Sequence, residues 1–303
     1  MLRDFIQAAR LRTLPLASAC VLTGGALAAA SGVPQTRFAP LFAGCLSTVI
    51  LLQVLANFAN DLGDFNNGAD RAEGHQRSDR AVASGRIAAS HMKRAVIATA
   101  VLAFLVGIAT VFLAAGDHIL TALFWIGTGI LAIGAAYTYT AGDRPYGYSG
   151  LGDISVLVFF GAAGVAGTAA LIAGTFDPLW LLPSMSIGLF SVAVLNLNNL
   201  RDHVSDATTG KHTLIVRMGF DKGKVYHAVL LGGAWAALLG FWALDAGGPW
   251  HGKLWYGLFG LVHVKHLAFV FRTQDPAELD SELKKVALST FAISLFFFLS
   301  ATA

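Results

Sequence analysis

Charge is scarce in this chain. Asp, Glu, Lys and Arg make up 13% of its 303 residues, against about a quarter in soluble domains, so an ordinary water-soluble globule is excluded. Cysteine is scarcer still: Cys20 and Cys45 are the only two. Each falls inside an apolar run, which leaves them as small apolar fillers and rules out a disulfide framework. No CxxC or HExxH arrangement occurs, no GxxxxGK[ST] and no GxSxG, so the metal-protease, P-loop and serine-hydrolase chemistries those motifs carry have no residues here. The 21 basic and 18 acidic residues leave a net charge of only +3, and no nucleic-acid partner is expected.

Apolar sequence is abundant. Hydrophobic residues reach 55%, the mean hydropathy is +0.63, and nine long apolar runs recur: Leu14 to Ala30, Phe38 to Phe58, Ala95 to Ala115, Ile119 to Tyr139, Ile154 to Ala173, Leu179 to Leu200, Tyr226 to Leu244, Leu254 to Phe271 and Val286 to Ser300. Most reach the roughly 20 residues a helix needs to cross a bilayer. The expected fold is therefore all-α, a single polytopic membrane domain over 1–303 with nine transmembrane helices around a central cavity. The glycines, as in GGALAAASG and FFGAAGVAG, fall mostly inside the runs, where small residues let helices approach closely.

Cations set the orientation, because Lys and Arg flanking a span stay on the cytoplasmic side. With the N-terminus inside, the inner segments hold Arg3, Arg10 and Arg12; Arg71, Arg77, Arg80, Arg86, Lys93 and Arg94; Arg144; Arg201, Lys211, Arg217, Lys222 and Lys224; Arg272, Lys284 and Lys285. The outer segments hold only Arg37 and Lys253. This asymmetry predicts a cytoplasmic N-terminus and a periplasmic C-terminus. The first run resembles a secretory signal, but it is longer than a usual signal core and has Pro15 at its entry, so it is read as the first helix.

Two inner segments open with acids: NDLGDFNNGAD after the second run and NNLRDHVSDATTGKHTL after the sixth. They lie roughly 140 residues apart, as a duplicated multi-helix unit would place them, with halves of about 10–145 and 150–303. Asp61 and Asp64 are spaced i, i+3, and Asp202 and Asp206 i, i+4, so each pair is expected on one face of a continuing helix. Asn57 and Asn60 extend the first face inward, and Asn198 and Asn199 the second. Asp70 follows a turn at Gly68. Five carboxylates around one cavity repel one another unless positive charge sits between them. Two Mg²⁺ ions bridged by a diphosphate supply it, with nearby cations neutralising the departing group.

The pattern Asn60, Asp61, Asp64, Asp70, followed by Asp202 and Asp206, resembles the UbiA superfamily of intramembrane prenyltransferases. With RLRTLPLA, YTYTAGDRPYGYSGLGDISVLVFFG and NLNNLRDHVSDATTGKHTLIVRMG, the chain is similar to its menaquinone-pathway branch, the 1,4-dihydroxy-2-naphthoate polyprenyltransferases, over residues 10 to 220. Where many members have arginine then proline after the first acidic motif, this chain has Arg80-Ala81. The resemblance implies a helical bundle in the bacterial inner membrane whose site faces the cytoplasm. It also implies Mg²⁺-dependent transfer of a polyprenyl chain from its diphosphate to 1,4-dihydroxy-2-naphthoate, with loss of the carboxylate, giving demethylmenaquinone.

Within that frame, Asp61 and Asp64 are expected to hold one Mg²⁺ and Asp202 and Asp206 the other, with Asp70 and Asn60 completing the shells. Lys211, Arg201 and Arg80 offset the leaving charge, and Asn199 lies on the second acidic face. Tyr137, Tyr139, Tyr146 and Tyr148 offer π-faces to a carbocation. Asp153 either orients or deprotonates an acceptor hydroxyl or serves as a negative residue stabilised by the dipole at a helix N-terminus, and Arg144 is expected to pair with the acceptor carboxylate. Lys265, with His263 and His266 beside it, is an ionisable residue at depth and so either a functional candidate or a side chain snorkelling to the inner surface. Two alternatives remain: a sibling enzyme using another acceptor such as 4-hydroxybenzoate, and a membrane cation or solute transporter.

Overall fold

The computed structural model describes residues 1–70, 80–245, 248–250 and 254–302, so Arg71, Arg77 and Lys253 lie outside the described residues. Helix is the only regular structure among them. The helices are α1 (Leu2–Ala8), α2 (Leu14–Ala30), α3 (Gln35–Asn66), α4 (Ala89–Ala115), α5 (Ile119–Thr138), α6 (Gly152–Ala173), α7 (Leu181–Thr208), α8 (Leu214–Met218), α9 (Phe220–Leu244), α10 (Trp255–Arg272) and α11 (Asp280–Thr302). Eight helical stretches among the described residues are long and apolar enough to cross a membrane. The α10 segment, expected as a ninth span, is helical, but Lys265, His263 and His266 dilute its apolar character and it is not among the eight.

Two helices overrun their apolar cores, and this places the site. The second run ends at Phe58, but α3 continues to Asn66, 32 residues in all, or about 48 Å at a rise of about 1.5 Å per residue. That exceeds a hydrocarbon core of about 30 Å, so its last turns, bearing Asn60, Asp61 and Asp64, stand at the polar edge. The 28-residue α7 likewise carries Asn198, Asn199, Arg201, Asp202 and Asp206 past its apolar stretch. Both ends stop the same way. Gly68 and Gly210 adopt φ +74° and +76°, and the following N–H groups, of Ala69 and Lys211, donate back to the Asp64 and Asp206 carbonyls at 2.9 Å each. Glycine enters this left-handed conformation without a Cβ penalty, so both chains turn sharply back over their own acids.

The main core lies in the second half, where Trp180, Phe190, Leu197 and Leu200 are buried with Leu231, Ile293 and Phe297. Within α6, residues Leu157–Gly167 widen into a π-helical stretch. It packs on α7 so closely that a Cβ on Gly161 would meet the Ser184 carbonyl oxygen at 2.7 Å. By contrast α5 sits at the edge with Ala122 alone buried. Large apolar side chains of α4 and α5, among them Leu105, Phe112, Phe124 and Leu131, face outward, as helices surrounded by lipid require.

Candidate active site

Helices α2 to α7 and the start of α11 enclose a cavity of about 680 Å³. Its deep wall is apolar, with Val49, Leu52, Phe104, Ile108, Trp125, Phe159 and Leu171. The opposite end is polar and gathers Asn60, Asp64, Arg80, Tyr139, Tyr146, Tyr148, Asn198, Asn199, Arg201, Asp202, Asp206 and Lys211.

The two acidic mouths meet at one cation. Lys211 Nζ lies 3.1 Å from Asp64 Oδ1 and 4.0 Å from Asp206 Oδ1, so acids from residues remote in sequence share the field of one ammonium. Arg80 holds the other face of Asp64, with Nη2 2.7 Å from Oδ2, and its Nε is 3.7 Å from Asp70 Oδ1. Arg201 forks onto Asp202 at 2.8 and 2.9 Å and also donates to the Asn198 side-chain oxygen at 2.8 Å. Each of these carboxylates is therefore balanced, which burial demands. Asp64, Asp202, Asp206, Asn60, Asn198 and Asn199 bring side-chain oxygens to this end of the cavity, the ligand chemistry of a hard divalent cation; among the described residues no three acids or histidines are grouped as a ready metal site, and the Lys211 ammonium stands between Asp64 and Asp206.

Aromatic groups close over the same end. The Tyr148 hydroxyl donates to Asp64, and the Lys211 ammonium stands 4.6 Å above the Tyr148 ring centroid. Burial, then the Asp64 charge, pushes the Tyr148 phenol above its ordinary range, so it stays a hydrogen-bond donor. Tyr139 and Tyr146 pack edge to face at 5.4 Å, and Tyr146 is fixed by donation to the Ala135 carbonyl at 2.9 Å. The 138–142 turn docks on α3 at Gly63, where a Cβ would lie 2.5 Å from the Thr140 carbonyl oxygen. Thr140 Oγ1 donates to the Asn60 side-chain oxygen at 2.9 Å, and the Asn67 amide donates to the Thr140 carbonyl at 2.9 Å. Gly63→Ala is expected to pry this turn from Asn60 and lower kcat about tenfold with the chain still in the membrane, read by product formation per folded protein.

Four expected site residues do not line the cavity. Asp61 turns to the backbone of Ala81 and Val82: on a 3.6-residue helix it stands roughly 60° around from Asp64, enough to swing one carboxylate off the shared face. Asp70 lies behind Arg80. Asp153, at the start of α6, accepts from the Tyr226 hydroxyl of α9 at 2.8 Å, and Arg144 is exposed in its loop. Tyr137 is also turned outward, 44% exposed. Lys265 is exposed, while His263 and His266 belong to a buried chain behind the cavity wall. There His227 and His266 bring their Nε2 atoms within 2.8 Å, Glu282 faces His266, and His263 meets Trp235 and Ser289.

Several lining residues were not anticipated: Arg10, Arg12, Thr13 and Gln53 on one side, Asp280, Ser281 and Lys284 on another. Arg10 is the only non-glycine residue with positive φ among the described residues, at 49°. Its conformation is held by donation from Thr13 Oγ1 to its carbonyl at 2.9 Å, and the Asn57 amide braces that threonine at 2.9 Å. The sequence signal for this corner was RLRTLPLA itself, whose arginines also fit a plain positive flank.

The profile described as the UbiA prenyltransferase family matches residues 17–299. The chain belongs to the UbiA prenyltransferase family. It is 43% identical over 297 residues to the 1,4-dihydroxy-2-naphthoate octaprenyltransferase of Haemophilus influenzae, covering 98% of this chain and 94% of that one. It is 42% identical over 302 residues to the enzyme of the same name from Escherichia coli, covering 97% and 94%. In fold it matches a UbiA homolog from Archaeoglobus fulgidus bound to GPP and Mg²⁺, with a TM-score of 0.62, 14% identity and coverage of 98% and 99%. As a UbiA prenyltransferase with many apolar helices, the chain is a multi-pass membrane enzyme, and family membership removes the transporter alternative.

Proposed function

We propose that the chain transfers a polyprenyl group from polyprenyl diphosphate to 1,4-dihydroxy-2-naphthoate, releasing pyrophosphate and carbon dioxide and forming demethylmenaquinol, the hydroquinone from which demethylmenaquinone arises by a separate oxidation. The observation that carries this reading is the Lys211 ammonium standing between Asp64 and Asp206 at 3.1 and 4.0 Å, above an apolar cavity. The relatives' names supply the acceptor.

The isoprenoid enters the apolar wall, each buried methylene contributing about 0.8 kcal/mol, while the diphosphate stays at the polar end. Lys211, Arg80 and Arg201 line that end and receive its charge. Asp64, Asp202 and Asp206, with Asn60, Asn198 and Asn199 beside them, would hold two Mg²⁺ ions, which would supply the remaining positive charge. Tyr148 keeps its proton and directs it at Asp64. Tyr139 and Tyr146 present ring faces to the allylic carbon and exclude water as its bond to oxygen breaks. The electron-rich ring then bonds to that carbon, and the pair from the departing carboxylate returns to the ring.

The wider placement follows from the same reading. The chain spans the bacterial inner membrane nine times, α10 included, with the N-terminus and the site on the cytoplasmic side and the C-terminus in the periplasm. The matched Gly68 and Gly210 turns support an origin by duplication. Incubating the purified chain with labelled polyprenyl diphosphate, Mg²⁺ and each acceptor separately tests the assignment: demethylmenaquinol, recovered as the quinone after air oxidation, is expected from the naphthoate, and product from 4-hydroxybenzoate alone would overturn it.

A further inference from the structure

We infer that Asp61 is a positioning residue, which fixes the backbone turn that presents Arg80 to the cavity and does not itself touch the donor or its metal. The inference rests on the proposed reading of the cavity mouth as a diphosphate site. Both oxygens of the Asp61 carboxylate are engaged elsewhere: Oδ2 accepts from the Ala81 N–H at 3.0 Å and Oδ1 from the Val82 N–H at 3.2 Å. The residue is 1% exposed and does not line the cavity. A carboxylate so deeply buried needs donors, and two adjacent amides in a buried turn need acceptors, so each requirement meets the other.

The turn is otherwise closed on itself. The Ser84 hydroxyl and N–H both donate to the Arg80 carbonyl, at 2.6 and 3.1 Å, and the Ile87 N–H donates to the Ala81 carbonyl at 3.0 Å. Ala81, Val82 and Ile87 pack among Leu55, Phe58 and Met92. Asp61 ties this unit to α3, and Asp64, one turn further along α3, takes the Arg80 guanidinium at 2.7 Å. One helix thus holds the arginine's side chain through Asp64 and the two backbone amides that follow it, of Ala81 and Val82, through Asp61. A planar guanidinium recognises phosphate oxygens through a fixed fork, which is useful only when its stem is anchored. Without the backbone tie, the turn keeps its internal hydrogen bonds and its packing but loses its two polar anchors on α3.

The test uses the full chain in inside-out membrane vesicles. Asp61→Asn is expected to raise the KM for the diphosphate donor about tenfold, as loss of a charge-assisted contact does, with the Mg²⁺ midpoint unchanged. In an Arg80→Ala background it is expected to add no further loss, since both changes act through the same arginine. A second readout needs no turnover: trypsin cuts after Arg80 in Asp61→Asn vesicles but not in the parent, followed by mass spectrometry of the peptides. Asp61→Ser carries the same expectations and replaces Asp61→Asn should that variant fail to accumulate. A raised Mg²⁺ midpoint with the Arg80 bond still protected, or losses that multiply across the two substitutions, would overturn the inference. Because the cleavage readout is independent of the acceptor, a chain that prenylates some other substrate still decides it.

Discussion

Asp64→Asn is expected to lower kcat/KM about 10³-fold, equivalent to about 4 kcal/mol of transition-state stabilisation. Asp64 is the most connected acid at the site: Lys211, Arg80 and the Tyr148 hydroxyl converge on its two oxygens. Asparagine keeps the shape and one acceptor but removes the charge that holds both cations, and its amide hydrogens face two positive groups. Breaking a buried ion pair on one side costs roughly 3–5 kcal/mol of stability, so the melting temperature is also expected to fall. Product formation by mass spectrometry, normalised to protein that remains folded in detergent, separates the two effects. Activity within tenfold of the parent would remove Asp64 from the centre of the mechanism.

Lys211→Gln is expected to reduce kcat about 10²-fold with a smaller change in donor KM, because the lost charge matters most as the diphosphate departs. The geometry behind this is local: Gly210 turns the chain back, the Lys211 N–H bonds to the Asp206 carbonyl at 2.9 Å, and the side chain reaches across to Asp64. Lys211→Arg is expected to recover only part of the rate, since a planar fork does not fit between two carboxylates as a compact ammonium does. Single-turnover measurements give the bond-breaking step directly. A Lys211→Gln enzyme with unchanged single-turnover rate and raised KM would assign the residue to ground-state binding alone.

The sequence makes the membrane segments and the two acidic mouths legible for a simple reason: apolar runs of bilayer length, and acids placed next to them, are local patterns. The family resemblance rests on the same local words, and the matched family bears it out. Side-chain direction is less legible. Spacing i, i+3 put Asp61 and Asp64 on one face, but the remaining rotation was enough for the 81–82 amides to capture Asp61. Asp153 looked free to reach an acceptor until Tyr226, from a helix 73 residues further on, met it. Arg10 reaches the cavity from the corner between α1 and α2, and Gln53 and Lys284 from α3 and α11, through packing that no short stretch of sequence encodes. Apolar length alone also gave no sign that the histidines of α10 are buried in contacts with α9 and α11.

If acids from both halves of the chain work on a single departing diphosphate, Asp64→Asn and Asp206→Asn must not act independently. Turnover of both single variants and of the double variant, measured with a polyprenyl diphosphate, 1,4-dihydroxy-2-naphthoate and Mg²⁺, decides the matter. The expected result is that either substitution alone costs nearly as much as both together. Two moderate losses that multiply in the double variant would mean separate sites, and the shared centre would have to be abandoned.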